Sequence, residues 1–168
     1  MGFLIQILRH TPVWVYVLFV YLAWRGINAC RPGDTSLAKL AVIPLLFLVW
    51  GLYEVARMYG WSAATFGIWC VAFLVGAGIG FAIVRVMPLS VDRRRGVIHR
   101  PADYTVLPLI LLAFGTKYAL NVTAIVSPQT LRDPDMRILG LVASGLFAGI
   151  FVGKFAVYAR AYQRAPAG

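Results

Sequence analysis

"SAATFGIWCVAFLVGAGIGFAIVRVM", Ser62 to Met87, carries no charged residue before Arg85. A helix rising about 1.5 Å per residue crosses a hydrocarbon core of roughly 30 Å with about 20 such residues, and this stretch supplies them. A helix on the surface of a soluble protein would alternate an apolar stripe with a polar face. None is written here, so the segment is expected to face lipid and protein together.

Four other stretches have the same character. Upstream, a span over 12–30 starts with Thr11 as a cap and Pro12 at the first helical position. A second over 37–59 follows Ser36 as its cap, with Pro44 inside it expected to bend the helix. Downstream, 105–127 is interrupted by Lys117 and 137–162 by Lys154, with the polar turn "SPQTLRDPDM" between them. "FLIQIL" near the start is expected to lie along the membrane interface. The expected fold class is all-α: a polytopic transmembrane helix bundle of five spans (12–30, 37–59, 62–87, 105–127, 137–162). Together with a cytoplasmic basic loop at 88–104, they form a single integral membrane domain over 1–168.

Composition agrees with that reading. Apolar residues make up 61% of the chain and charged residues 13%, against about 45–50% and about 25% in soluble domains. A chain of 168 residues cannot bury so much apolar surface by itself, so lipid must cover the remainder. The net charge is +10, but its basic residues do not form the aromatic-interleaved tracts that hold nucleic acid, and no nucleic-acid partner is expected. The lone Cys30 and Cys70 form no CxxC, which excludes a zinc site or redox dithiol. Arg9 interrupts the first apolar stretch where a signal peptide would be uniform. "GAGIG" lacks the spacing of a dinucleotide fingerprint, and no cofactor or metal is expected.

Orientation follows from the basic residues of alternate loops. Ten fall on one side (Arg25, Arg31, Lys39, Arg85, Arg93, Arg94, Arg95, Arg100, Arg160, Arg164) and four on the other (Arg9, Arg57, Arg132, Arg137). The richer side is expected to be cytoplasmic, which places the N-terminus outside and the C-terminus inside a bacterial inner membrane. On that cytoplasmic side the chain writes "RPGD" at 31–34 and "RPAD" at 100–103, each ahead of a similar run, "VIPLLFLVWG" from Val42 and "VLPLILLAFG" from Val106. The match suggests a parallel internal duplication of a helical hairpin. In each phrase the Asp caps the next helix, the Pro fixes the entering chain and the Arg meets phosphate. The intervening "VDRRRGVIH" alternates around Gly96 and is expected to form a small hairpin.

Away from the ends of the predicted spans, three ionisable residues stand out: Glu54, Lys117 and Lys154. A charge near the bilayer centre costs from roughly 3 to more than 10 kcal/mol, so each must face protein or water. Glu54 is the chain's single glutamate. It either pairs with Lys117 to line a solute or proton path, together with Asn121 and Tyr118, or takes the simpler partner Arg57 at i,i+3. Lys154, nearer the cytoplasm, is expected to snorkel to the interface. Gly145, Gly149 and Gly153 form one small-residue stripe, and Ala72, Gly76 and Gly80 another; both serve packing within the chain or a face for a second copy. Arg93, Arg94, Arg95 and Arg100 are candidates for anionic lipid headgroups or a partner's acidic surface. His10 and His99 fall on opposite sides, and no Ser/His/Asp set or HExxH is present, so an enzyme is not expected.

"HTPVW" (His10 to Trp14) and "FGTKYALNV" (Phe114 to Val122) resemble an uncharacterised family of small bacterial inner-membrane proteins with an H-T-P-x-W opening and a T-K-Y in the fourth helix. The resemblance implies five helices in the cytoplasmic membrane and no established activity; its matching residues are His10, Thr11, Pro12, Trp14, Thr116, Lys117 and Tyr118. The functional expectation is a small homo-oligomeric transporter or channel-like protein for a small solute or ion, with its path between protomers. The alternative is a non-catalytic accessory or assembly subunit docked on a membrane complex.

Overall fold

A computed structural model of the protein describes residues 13–126 and 133–165. Among the described residues the chain forms five α-helices: α1 (Val13–Ala29), α2 (Leu37–Glu54), α3 (Ala63–Arg85), α4 (Val106–Val126) and α5 (Pro134–Arg164). Three short strands join them: β1 (Gly33–Ser36), β2 (Ser90–Asp92) and β3 (Val97–Arg100). The expected opening at Thr11 and Pro12 and the turn at 127–132 lie outside the described residues. Three segments, Leu37–Tyr59, Ala63–Arg85 and Pro134–Arg164, are long and apolar enough to cross a membrane.

The helices begin where side chains satisfy their free N–H groups. Ser36 accepts from Lys39 N at the head of α2, and Ser62 accepts from Thr65 N at the head of α3. α5 starts at Pro134, three residues ahead of the expected Arg137, because Asp133 caps it and Pro134 supplies a preset φ at the first position. Pro44 lies within α2.

Neighbouring side chains give the helix directions. Phe19 lies 4.8 Å from Phe114 and Gly26 abuts Leu107, so α1 and α4 are antiparallel. Phe47 stacks on Phe151 at 4.6 Å while Gly51 meets Ser144, which makes α2 antiparallel to α5. Trp69, Phe73 and Ala77 of α3 face Gly145, Gly149 and Gly153 in the same order, so α3 and α5 are parallel. A Cβ at Gly149 would sit 2.0 Å from the Phe73 carbonyl oxygen, and one at Gly80 2.0 Å from that of Ile150. The two glycine stripes therefore meet each other inside one chain, and that close approach leaves them no room to serve a second copy.

Leu22, Phe47, Ile110 and Ala113 are fully buried at the centre of the bundle, with Trp69, Ala148 and Phe151 around them. Val49 and Leu74 are 64% and 67% exposed on the outer faces. At one end, where α1, α3 and α5 finish and α2 and α4 begin, lies a three-stranded antiparallel sheet in the order β1-β3-β2. The expected hairpin is present, and its turn needs Gly96 at φ +66°, with Asp92 accepting from Arg95 N. β1 is an addition to the all-α expectation: Asp34 pairs with His99 and Ser36 with Val97 in register. Ile98 is fully buried beneath the sheet against Val84 and Tyr158.

The repeated phrases consequently have different structures. "RPGD" runs into β1, whereas "RPAD" leaves β3 and leads to α4. Arg100 donates to Ala29 O at 2.9 Å and Asn28 O at 3.2 Å, closing the carbonyl end of α1.

Candidate functional site

Glu54 is the last residue of α2, and beyond it the backbone widens into a π-helical turn, Val55–Tyr59, that ends at Gly60 with φ +77°. Lys117 reaches it from α4 and Ser144 from α5. Lys117 Nζ donates to Glu54 Oε2 at 2.5 Å and to Ser144 Oγ at 3.3 Å, while Ser144 Oγ donates to the same Oε2 at 2.9 Å. Lys117 and Ser144 are each 3% exposed and Glu54 7%. Burying one of these charges alone would be prohibitive; the ion pair and the shared hydroxyl make it tolerable. Lys117 Nζ also lies 5.1 Å from the centre of the Trp50 ring, whose negative face favours a cation.

Of the two open pairings for Glu54, the one with Lys117 forms. Arg57 is exposed, donates to the Tyr53 hydroxyl at 3.5 Å and lies over that ring. The reason is local: i,i+3 neighbours share a face only in a regular α-helix, and the chain leaves that geometry at Val55. The surroundings hold one unpaired donor. Trp69 Nε1 is buried without a hydrogen-bond partner, and a Cβ on Gly51 would lie 3.4 Å from it and 3.2 Å from Ser144 Oγ.

A second buried pair lies toward the sheet. Lys154 of α5 is 4% exposed, so it does not snorkel. Its Nζ lies 2.7 Å from Asp103 Oδ2 and donates to Thr105 Oγ1 at 2.6 Å. Thr105 in turn donates to Asp103 Oδ1 from both its hydroxyl, at 2.6 Å, and its backbone N, at 3.1 Å. Asp103 thus makes the expected entry contact for α4 and also neutralises a lysine one helix away. Burial pushes the Asp103 carboxyl up, but Lys154 and Thr105 outweigh it and hold the group below the usual carboxylate range.

Ser144 and Lys154 are ten residues apart on α5, about 15 Å along the helix axis. Phe47, Phe151 and Ile110 fill the interior between them. Beside Lys154 a half-open cavity of about 140 Å³ is lined by Arg25, Arg100, Asp103 and Lys154 at its polar end and by Trp24, Leu40 and Phe155 among its apolar residues.

The other expected residues are distributed as follows. Tyr118 stacks on Phe114, between α1 and α2, while the side chain of Asn121 lies outside the described residues. Arg93 lies over the Tyr162 ring at 5.5 Å, Arg95 pairs with Asp92 at 3.8 Å, and Arg94 is exposed. His99 bonds Asp34 across the strands; His10 lies outside the described residues. No group of three metal-capable side chains occurs among the described residues. Sequence reading passed over Ser144, Thr105, Trp69 and the ion-pair role of Asp103. The available signal for Ser144 was a single hydroxyl within the apolar run "ILGLVASGLFAGIFVG" of α5.

The chain belongs to a family of unknown function (DUF6622), which it matches over residues 1–168. This agrees with the expected full-length resemblance to an uncharacterised family. No curated protein and no solved structure matches it.

Proposed function

Since that family assigns no activity, the site must carry the reading, and we propose that the protein is a small transporter or channel-like protein moving protons, alone or coupled to a small solute. In this reading five helices cross a bacterial inner membrane, with the N-terminus outside and the sheet in the cytoplasm. The observation that carries it is the closed Glu54–Lys117–Ser144 network among apolar helices. Intramembrane ionisable residues are retained at such cost chiefly where charge must move. A carboxylate, an ammonium and a hydroxyl sharing one oxygen can exchange a proton without exposing a bare charge. The π-turn after Glu54 supports the same reading, because single π-turns concentrate at functional sites. The network belongs to one chain, so the path runs through each protomer and not between protomers. A homo-oligomer would use the outer faces, since the glycine stripes are covered. The hairpin duplication fits the parallel pairs α2 with α4 and α3 with α5, and the unlike roles of the two Arg-Pro phrases count against it.

Proteoliposomes loaded with a pH-sensitive dye test the proposal. The wild type should dissipate an imposed pH gradient, and Lys117→Met or the double variant Glu54→Gln, Lys117→Met should not, with the double variant folded normally. An impermeant thiol reagent applied to Trp61→Cys in a chain without Cys30 and Cys70 reads the orientation in the same vesicles. Undiminished flux through the double variant would overturn the assignment of the path.

A further inference from the structure

The half-open cavity of about 140 Å³ beside Lys154 has no role in that proton path. It lies where the apolar bundle meets the basic sheet, between the end of α1, the start of α2 and the inner face of α5. Its wall carries three cationic side chains, Arg25, Arg100 and Lys154, and one anionic, Asp103. Lys154 and Asp103 neutralise each other at 2.7 Å, which leaves two positive charges without an acidic partner in the cavity wall. Both are held in place by backbone: Arg25 donates to Lys39 O, and Arg100 uses two of its donors on Ala29 O and Asn28 O. A guanidinium has five N–H donors, so each arginine keeps others for an oxyanion. The starts of α2 and α4 add their positive dipole ends to the same region.

The rest of the wall is apolar, and that decides what kind of anion fits. Trp24, Leu40, Ile43 and Phe155 line the cavity together with the arginines, and Trp24 is 58% exposed on the outer surface of α1. With about 30 Å³ per water, the space holds four or five waters' worth of atoms, enough for a phosphate group and the first carbons attached to it. A larger ligand must continue through the open side, along outer helix faces that are themselves apolar. A soluble phosphate would leave these walls unused; a phosphate joined to acyl chains would use both halves.

We propose that this cavity holds the phosphate head of an anionic membrane phospholipid, gripped by Arg25 and Arg100, with its chains lying along Trp24 and the adjoining outer surface. The site stands independently of the transport reading, because neither arginine touches the Glu54–Lys117–Ser144 network.

Native mass spectrometry of the full-length, delipidated protein in detergent tests it, using phosphatidylglycerol, phosphatidylcholine and inorganic phosphate as probes. Phosphatidylglycerol should bind at least about tenfold more tightly than phosphatidylcholine, and inorganic phosphate should compete only weakly. Arg25→Gln should remove about tenfold of that affinity, while Arg94→Gln, a cation on the same end but outside the cavity, should leave it unchanged. Equal binding of the two lipids would overturn the proposal without recourse to any variant. An equal loss in Arg94→Gln would reduce the effect to general surface charge and overturn it also. Phosphate binding as tight as that of the lipid would show that the acyl chains contribute nothing and would refute the lipid assignment.

Discussion

Replacing Lys117 by Met keeps the length and most of the volume of the side chain but leaves Glu54 as a buried carboxylate whose remaining polar partner is Ser144. Removing one partner of a buried ion pair costs roughly 3–5 kcal/mol, because the charge left behind is buried without compensation. Lys117→Met should therefore lower stability by that order. Adding Glu54→Gln removes the stranded charge, so the double variant should be more stable than Lys117→Met. Equilibrium unfolding in mixed detergent micelles measures the wild type and both variants. A Lys117→Met protein as stable as the wild type, or a double variant no more stable than Lys117→Met, would refute the buried pair and the path built on it.

Two further outcomes follow from the packing and the second ion pair. Gly149→Ala places a methyl group 2.0 Å from the Phe73 carbonyl oxygen, and forcing α3 and α5 apart should lower stability by about 2 kcal/mol or more. Gly78→Ala, with no atom within 4 Å of the added carbon, should be neutral or gain up to about 1 kcal/mol from helix propensity; equal melting shifts in the two would deny the close approach. Asp103 has a lowered pKa in the folded state, so its contribution is fully present above the ordinary carboxylate pKa of about 3.9 and disappears as pH falls through the lowered value. Wild type minus Asp103→Asn should accordingly be positive at pH 7 and fall away below about pH 4; a difference independent of pH would exclude the Lys154 ion pair as its source.

What could be read from the sequence were the features that depend on one segment at a time. Helix positions follow from apolar run length, and the cap at Ser36 follows from a hydroxyl placed ahead of its run. The hairpin around Gly96 follows from alternation and a residue tolerant of positive φ. "DP" at 133–134 is an equally local signal for the start of α5; the polar turn expected through Met136 covered it, although the first turn of a helix accepts Asp135 readily. β1 left no such trace, because Gly-Asp-Thr-Ser has neither alternation nor β-branched enrichment. It becomes a strand because β3 presents an open edge opposite it.

Of the polar pairs, Glu54 with Lys117 stood open as one of two readings and Asp103 with Lys154 left no trace, for a related reason. Each joins residues far apart in the chain: Glu54 to Lys117 and Ser144, and Asp103 to Lys154. For both carboxylates a nearer role was at hand, Arg57 for one and the head of α4 for the other. In Asp103 the local role and the distant one coexist, since Thr105 occupies Oδ1 and Lys154 approaches Oδ2. In Glu54 they exclude each other: the π-turn sends Arg57 outward to Tyr53, and the carboxylate is left to the interior. A regular helix through Val55 would have let Arg57 neutralise Glu54 near the surface and left Lys117 buried without its carboxylate. The irregular turn is therefore what commits the single glutamate to the centre of the bundle, and with it the lysine that the fourth helix could not otherwise bury.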